Sequence, residues 1–131
     1  VNRAQFTVKG HPAPKGSRKF LGSGGASKES SERCKPWVEA IALSAMGQRL
    51  PGGEFLPPPY KVGLRFVMPR AENPKWDWPS GDGDLDKLAR AVLDGLTQGG
   101  LILDDRHVVQ LDTEKEYAGA GKQTGVSIVI L

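Results

Sequence analysis

The sequence predicts an α+β fold: one small domain over residues 1–131, with a mixed β-sheet covered by two helices in the order β-α-β-α-β-β. Three observations lead there. Apolar and polar residues alternate over Tyr60–Met68, which is the pattern of a half-buried strand. Leu85, Leu88, Val92 and Leu96 recur at helical spacing with Ala89 and Leu93 beside them, while Asp86, Arg90 and Asp94 fall on the opposite face. The chain then closes on the apolar run GVSIVIL. At 131 residues it is long enough to bury a core without disulfide or metal staples, and 38% apolar with 25% charged residues excludes wholesale disorder.

The elements follow in order. QFTVK at 5–9 alternates and reads as a short strand, which HPAPKG at 11–16 cannot continue because Pro12 and Pro14 lack N–H donors. Residues 22–31 are rich in Gly and Ser and predict a flexible loop over about 20–33. A helix is expected from around Lys35, with Pro36 in its first turn and Trp37, Ile41, Ala42 and Ala45 on one apolar face. Residues 50–59 form a turn-rich connector to the strand Tyr60–Met68. A second flexible loop spans 69–83; its Trp76 and Trp78 are expected to anchor it against the core, the alternative being stacking on bases. Asp84 or Ser80 can cap the next helix, and Gly99 and Gly100 end it. Val108–Tyr117 reads as a strand with many charges, and 118–123 as a hairpin-like link to the final strand at 125–131.

Several function classes drop out. No apolar run approaches the roughly 18 residues that span a bilayer, and no signal-peptide core stands at the start, so no membrane association is expected. Cys34 is the only cysteine, which excludes an intrachain disulfide or a multi-cysteine zinc site and makes a reducing, cytoplasmic compartment the default. Charge is segregated. Residues 1–35 carry eight Lys/Arg against two acids, a balance of +6, and the remainder carries −3, together giving the net +3. Such a basic arm, with Lys15, Arg18 and Lys19 in its middle, can neutralise phosphates beside an acidic centre that holds metal.

That acidic centre lies between residues 81 and 105, GDGDLDKLARAVLDGLTQGGLILDD. With a helix starting near Leu85, Asp84 stands at the cap and Asp86 in the first turn. The cap residue lies outside the spiral, so both carboxylates can reach a common point, where the helix dipole also favours negative charge. Asp105 would join them from the loop after residues 101–103. Crowded carboxylates repel, and a hard divalent cation such as Mg²⁺ removes that penalty, polarises a phosphate and activates a water. Arg90, one turn after Asp86, can pair with it or clamp a phosphate oxygen. The plain alternative is that Asp84 is an ordinary cap and the rest solvated surface. An EF-hand is excluded, because Lys87 stands where its glycine is required and Leu93 where its bidentate Glu belongs. His11 and His107 have no metal-ligand spacing.

The run DLDKLARAVLDGLTQGGLILDDRHVVQL resembles the signature of RusA-type Holliday-junction resolvases of bacteria and their phages. The likeness is good over about residues 60–131 and looser before. Through it Asp84, Asp86 and Asp105 correspond to the family's three catalytic acids and metal ligands. Arg90 stands at the position of a catalytic lysine, and Lys87 at a usual asparagine. The resemblance implies an endonuclease that uses Mg²⁺, with Mn²⁺ as a substitute, to resolve four-way junctions in branched DNA by paired symmetric nicks from a homodimer. Lys15, Arg18, Lys19 and Lys87 are the expected DNA-binding cations. The alternative reading is a junction-binding protein of the same fold with weak or no cleavage. The implied location is a bacterial or phage-infected host cytosol.

Overall fold

The computed structural model describes residues 2–15, 25–81 and 83–131, with backbone alone for 25–31. The elements are β1 (Ala4–Lys9), α1 (Gly25–Met46), β2 (Tyr60–Met68), α2 (Leu85–Gln98), a 3-10 turn (Asp105–His107), β3 (Val108–Tyr117) and β4 (Gly125–Ile130). The predicted α+β order is therefore found. The four strands make one mixed sheet in the order β1-β4-β2-β3, with β4 antiparallel to both neighbours and β2 parallel to β3.

Alternation decides which face of the sheet is covered. Tyr60, Val62, Leu64, Phe66 and Met68 of β2 and Val126, Ile128 and Ile130 of β4 are all buried, in one cluster with Trp37, Ile41 and Ala45 of α1 and Leu88, Val92 and Leu96 of α2. Lys61 and Arg65 point to the other, open face, where Arg65 pairs with Glu114 across the register at 2.6 Å.

Two expectations need correction. The first helix begins at Gly25, not near Lys35, so 25–33 is helix where a flexible loop was expected, while 20–24 lies outside the described residues. The glycines and serines of 22–31 pointed to a loop, but Ala26, Lys28, Glu29, Glu32 and Arg33 are adequate helix formers. Pro36 consequently lies inside the helix instead of in its first turn. The second correction concerns 118–123, which is not a hairpin: β4 leaves β3 and inserts between β1 and β2. The reason lies in composition. GVSIVI carries no charge and suits an interior position, whereas β3 holds Asp112, Glu114, Lys115 and Glu116 and suits an edge, where charges discourage pairing with another chain.

The helices meet closely because α2 is notched by glycine. A Cβ at Gly99 would lie 2.4 Å from the Ala42 carbonyl oxygen and 2.8 Å from Ala45 Cβ. Gly99 itself is in the right-handed region (φ −76), so the close approach of α1 requires glycine there, not the turn. Gly99→Ala is expected to destabilise the fold by about 2–3 kcal/mol, because backbone must move to admit the methyl group. Urea unfolding should show a lower midpoint with unchanged slope; an unaltered midpoint would mean that the helix pair relaxes freely.

Candidate active site at the entrance of the second helix

Asp84 occupies the N-cap position of α2 in an extended conformation (φ −73, ψ 133). Its carbonyl accepts the N–H groups of Lys87 (3.0 Å) and Leu88 (2.9 Å), which starts the helix. Its carboxylate makes no capping hydrogen bond and is left 70% exposed, with Lys87 Nζ 3.5 Å away. Asp86 follows in the exposed first turn. The predicted cap is thus a cap in backbone only, and both carboxylates are available at the positive end of the helix dipole.

Three contacts fix this entrance. Gly83 takes a left-handed conformation (φ +83), with the Pro14 ring packed where a side chain would begin. The Lys15 N–H donates to the Lys87 carbonyl at 3.1 Å, laying the N-terminal segment along the first turn. The partly buried Lys115 reaches from β3 and donates to the Gly83 carbonyl at 2.6 Å. Lys115 carried no signal in sequence, since a lysine in a charged strand is ordinary. Only the parallel register, which sets Lys115 beside Phe66 on the helix-covered face, aims it at the helix entrance.

A second acidic group lies further along α2. Leu101 and Ile102 are buried, and the Leu103 N–H donates to the buried Tyr60 hydroxyl at 3.0 Å, which anchors the turn that follows. In that turn Asp104 Oδ1 accepts the Arg106 N–H at 2.9 Å. This hydrogen bond is the main cause holding the Asp104 carboxyl below its ordinary range. Asp105 is pushed up, first by burial, then by its hydrogen bond to Asp104 and the charges of Asp104 and Asp94; Arg90 partly opposes the rise. Lys15, Asp94, Thr97, Gln98, Asp104 and Asp105 line a shallow depression here, and Lys15 Nζ is ion-paired with Asp94.

The family model described as Endodeoxyribonuclease RusA matches residues 9–130. The chain belongs to the RusA family. Against individual curated proteins it finds no match. RusA membership makes the chain an endodeoxyribonuclease and implies action at Holliday junctions.

The structure sets Asp84 and Asp86 in the first turn at the entrance and Asp105 with Asp94, Asp104 and Arg90. Asp86, Arg90 and Asp94 succeed one another at four-residue intervals on one face, so Asp86 and Asp94 stand about 12 Å apart along the axis. Exposed carboxylates are the right donors for a hard cation. Among the described residues, however, no three His, Cys, Asp or Glu side chains lie close enough to hold one ion together. Asp82, Arg18 and Lys19 lie outside the described residues. Among the described residues, no helix is long and apolar enough to cross a membrane.

In Asp104→Asn the Asp105 carboxyl should titrate lower, because the neighbouring negative charge is lost while the amide can still hydrogen-bond. It should stay above the ordinary range, because burial and Asp94 remain; carboxyl ¹³C titration measures both, and no movement would leave burial and Asp94 as the causes of the rise. The linkage has opposite signs for the two acids. Stability from Asp104 is present above its unfolded pKa and lost as pH falls through the native one. For Asp105 it is full below the unfolded pKa and lost as pH rises through the native one. Lys115→Met should cost about 1–2 kcal/mol and speed amide exchange in the first turn of α2, with Lys115→Arg closer to the parent; unchanged exchange would remove the tether from any role in ordering the entrance.

Proposed function

We propose that this RusA-family chain is a metal-dependent, structure-selective endonuclease that resolves four-way junctions by paired symmetric nicking as a homodimer. The observation that carries the reading is the pair of uncapped carboxylates, Asp84 and Asp86, at an α2 entrance that lies inside the family match. By the family resemblance Asp84, Asp86 and Asp105 are the residues that would hold Mg²⁺, or Mn²⁺ in its place, and Asp105 would have to move toward the entrance pair to share one ion with them. The ion would supply charge stabilisation at the scissile phosphate and a more acidic water.

The chain's own side chains do the rest. Arg90, four residues beyond Asp86, presents a permanently charged guanidinium able to hold a phosphate oxygen through two N–H donors. Lys15, Arg18, Lys19 and Lys87 neutralise backbone phosphates, so that junctions are recognised by shape and charge more than by base edges. Two equivalent sites on a two-fold dimer match two equivalent strands of a four-way junction. A second reading, junction binding with weak or no cleavage, is favoured by the separation of Asp105 from the entrance pair and by arginine at position 90.

A labelled four-way junction and a linear duplex, each with and without Mg²⁺, separate the readings. Paired nicks confined to the junction and dependent on metal are expected; binding without cutting at any metal concentration selects the second reading. Asp84→Asn, Asp86→Asn and Asp105→Asn should each reduce cleavage on the order of 100-fold or more, with junction binding kept. Asp105→Asn cleaving at the parental rate would remove that residue and leave the entrance pair alone. Arg90→Lys should retain or raise activity, and neutralising Lys15, Arg18 and Lys19 should weaken binding and flatten its salt dependence, by about one unit of slope per lost phosphate contact.

A further inference from the structure

The loop between β2 and α2 ends at the carboxylate entrance and was expected to be held down by its two tryptophans. The structure distributes those roles differently. Pro79 is buried and fastens the loop, whereas Trp76 is 49% and Trp78 62% exposed. The third tryptophan of the chain, Trp37, is 4% exposed in the core, so burial is available to an indole in this fold. The Trp76 ring is held in place. A Cβ at Gly81 would lie 3.5 Å from Trp76 Cζ3, so that ring rests on the backbone three residues before Asp84. Lys75 Nζ stands 5.0 Å from the Trp76 ring centroid, and the Ser80 N–H closes a tight turn on the Trp78 carbonyl at 2.7 Å. Three residues of chain span at most about 11 Å, so the Trp76 ring is bound to the neighbourhood of the carboxylates.

We propose that Trp76 and Trp78 form a stacking platform for base faces exposed at the branch point of a DNA junction, and thereby set the preference for branched over linear DNA. The inference rests on the junction-directed reading above and deepens it. Within a linear duplex each base is covered above and below by its neighbours, so an indole has nothing to stack on. At a branch point the stack is interrupted, and the uncovered faces can meet an aromatic ring. Lys75 at the ring and Arg70 in the same loop supply cations for the flanking phosphates, although Glu72, Asp77 and Asp82 outnumber them in the loop sequence. The discrimination therefore comes from the rings, not from net charge. By the usual worth of base–aromatic stacking, each engaged ring contributes about 5- to 150-fold in affinity.

The test uses the full chain in EDTA, with a four-way junction and a linear duplex of the same arms as probes. Tryptophan fluorescence is expected to change more with the junction than with the duplex, while Trp37 supplies a constant background. The double variant Trp76→Ala/Trp78→Ala should lose at least tenfold of the junction-over-duplex preference, with duplex affinity altered less than about twofold, and Trp76→Phe/Trp78→Phe should keep part of it. A double variant that is folded by circular dichroism and keeps the full preference overturns the proposal. So does a fluorescence change that follows protein concentration without DNA, which would assign the rings to a contact between copies. Failure of the parent protein to bind either DNA at low salt would sink the junction reading itself, whereas parental preference for the junction that is undiminished in the variants sinks only the platform.

Discussion

Strands β2 and β3 run parallel, so the chain has to travel back along the sheet between them, and α2 is that return path. Nearly everything about the candidate site follows from this one requirement. The entrance of α2 comes after the end of β2, where Lys115, near the end of β3, can reach the Gly83 carbonyl. The exit of α2 leads to the start of β3, where the Tyr60 hydroxyl, at the start of β2, receives the Leu103 N–H. The acids at 84 and 86 therefore belong to one end of the crossover, and those at 104 and 105 to the turn that closes the other. The run of sequence that reads as a single acidic motif is spread by the crossover along the length of a helix.

The entrance accepts two free carboxylates because other groups do the structural work. A capping side chain would normally be spent on the orphan N–H groups of the first turn, and Asp84 is not spent in that way. Its conformation is imposed from outside, by the left-handed Gly83, the Pro14 ring against it and the Lys115 ammonium on its carbonyl. The helix dipole and Lys87 offset the negative charge. A helix terminus held by its neighbours, instead of by its own cap, leaves its acids at liberty for chemistry.

Much of this was legible in the sequence, and the reasons for the misses are physical. Tyr60–Met68 and the helix after Asp84 are found where periodicity placed them, because one face of each packs on the core and the pattern is forced; Val108–Tyr117 is also a strand, although none of its residues is fully buried. The start of α1 was missed because glycine and serine advertise a loop while the residues among them tolerate a helix. Strand order was misjudged at 118–123, since adjacency in sequence says nothing about which strand can bear an edge; the charges of β3 do, and they were on view. The acids themselves could be read as a motif, but not their spacing in space, which depends on the parallel register. Lys115 could not have been found without that register, and the exposure of Trp76 and Trp78 could not have been told from composition, because an indole is equally at home inside and outside.

The cations expected on the DNA also change meaning once their partners are known. Lys15 is paired with Asp94 and Lys87 lies beside Asp84, so two of the four are already engaged within the protein. Exposed ion pairs of this kind contribute little to stability, and exchanging a carboxylate for a phosphate costs correspondingly little. The exchange has a further effect. When a phosphate draws Lys15 away, Asp94 loses its counterion beside Asp105, and the repulsion that already raises the Asp105 carboxyl grows. When a phosphate draws Lys87 away, Asp84 loses the ammonium beside it. Engagement of DNA by these two lysines would thus leave both acidic groups more electron-rich and more in need of a cation than they are in the free protein. On the metal-dependent reading proposed above, the substrate itself would then strengthen the pull of these acids on a cation.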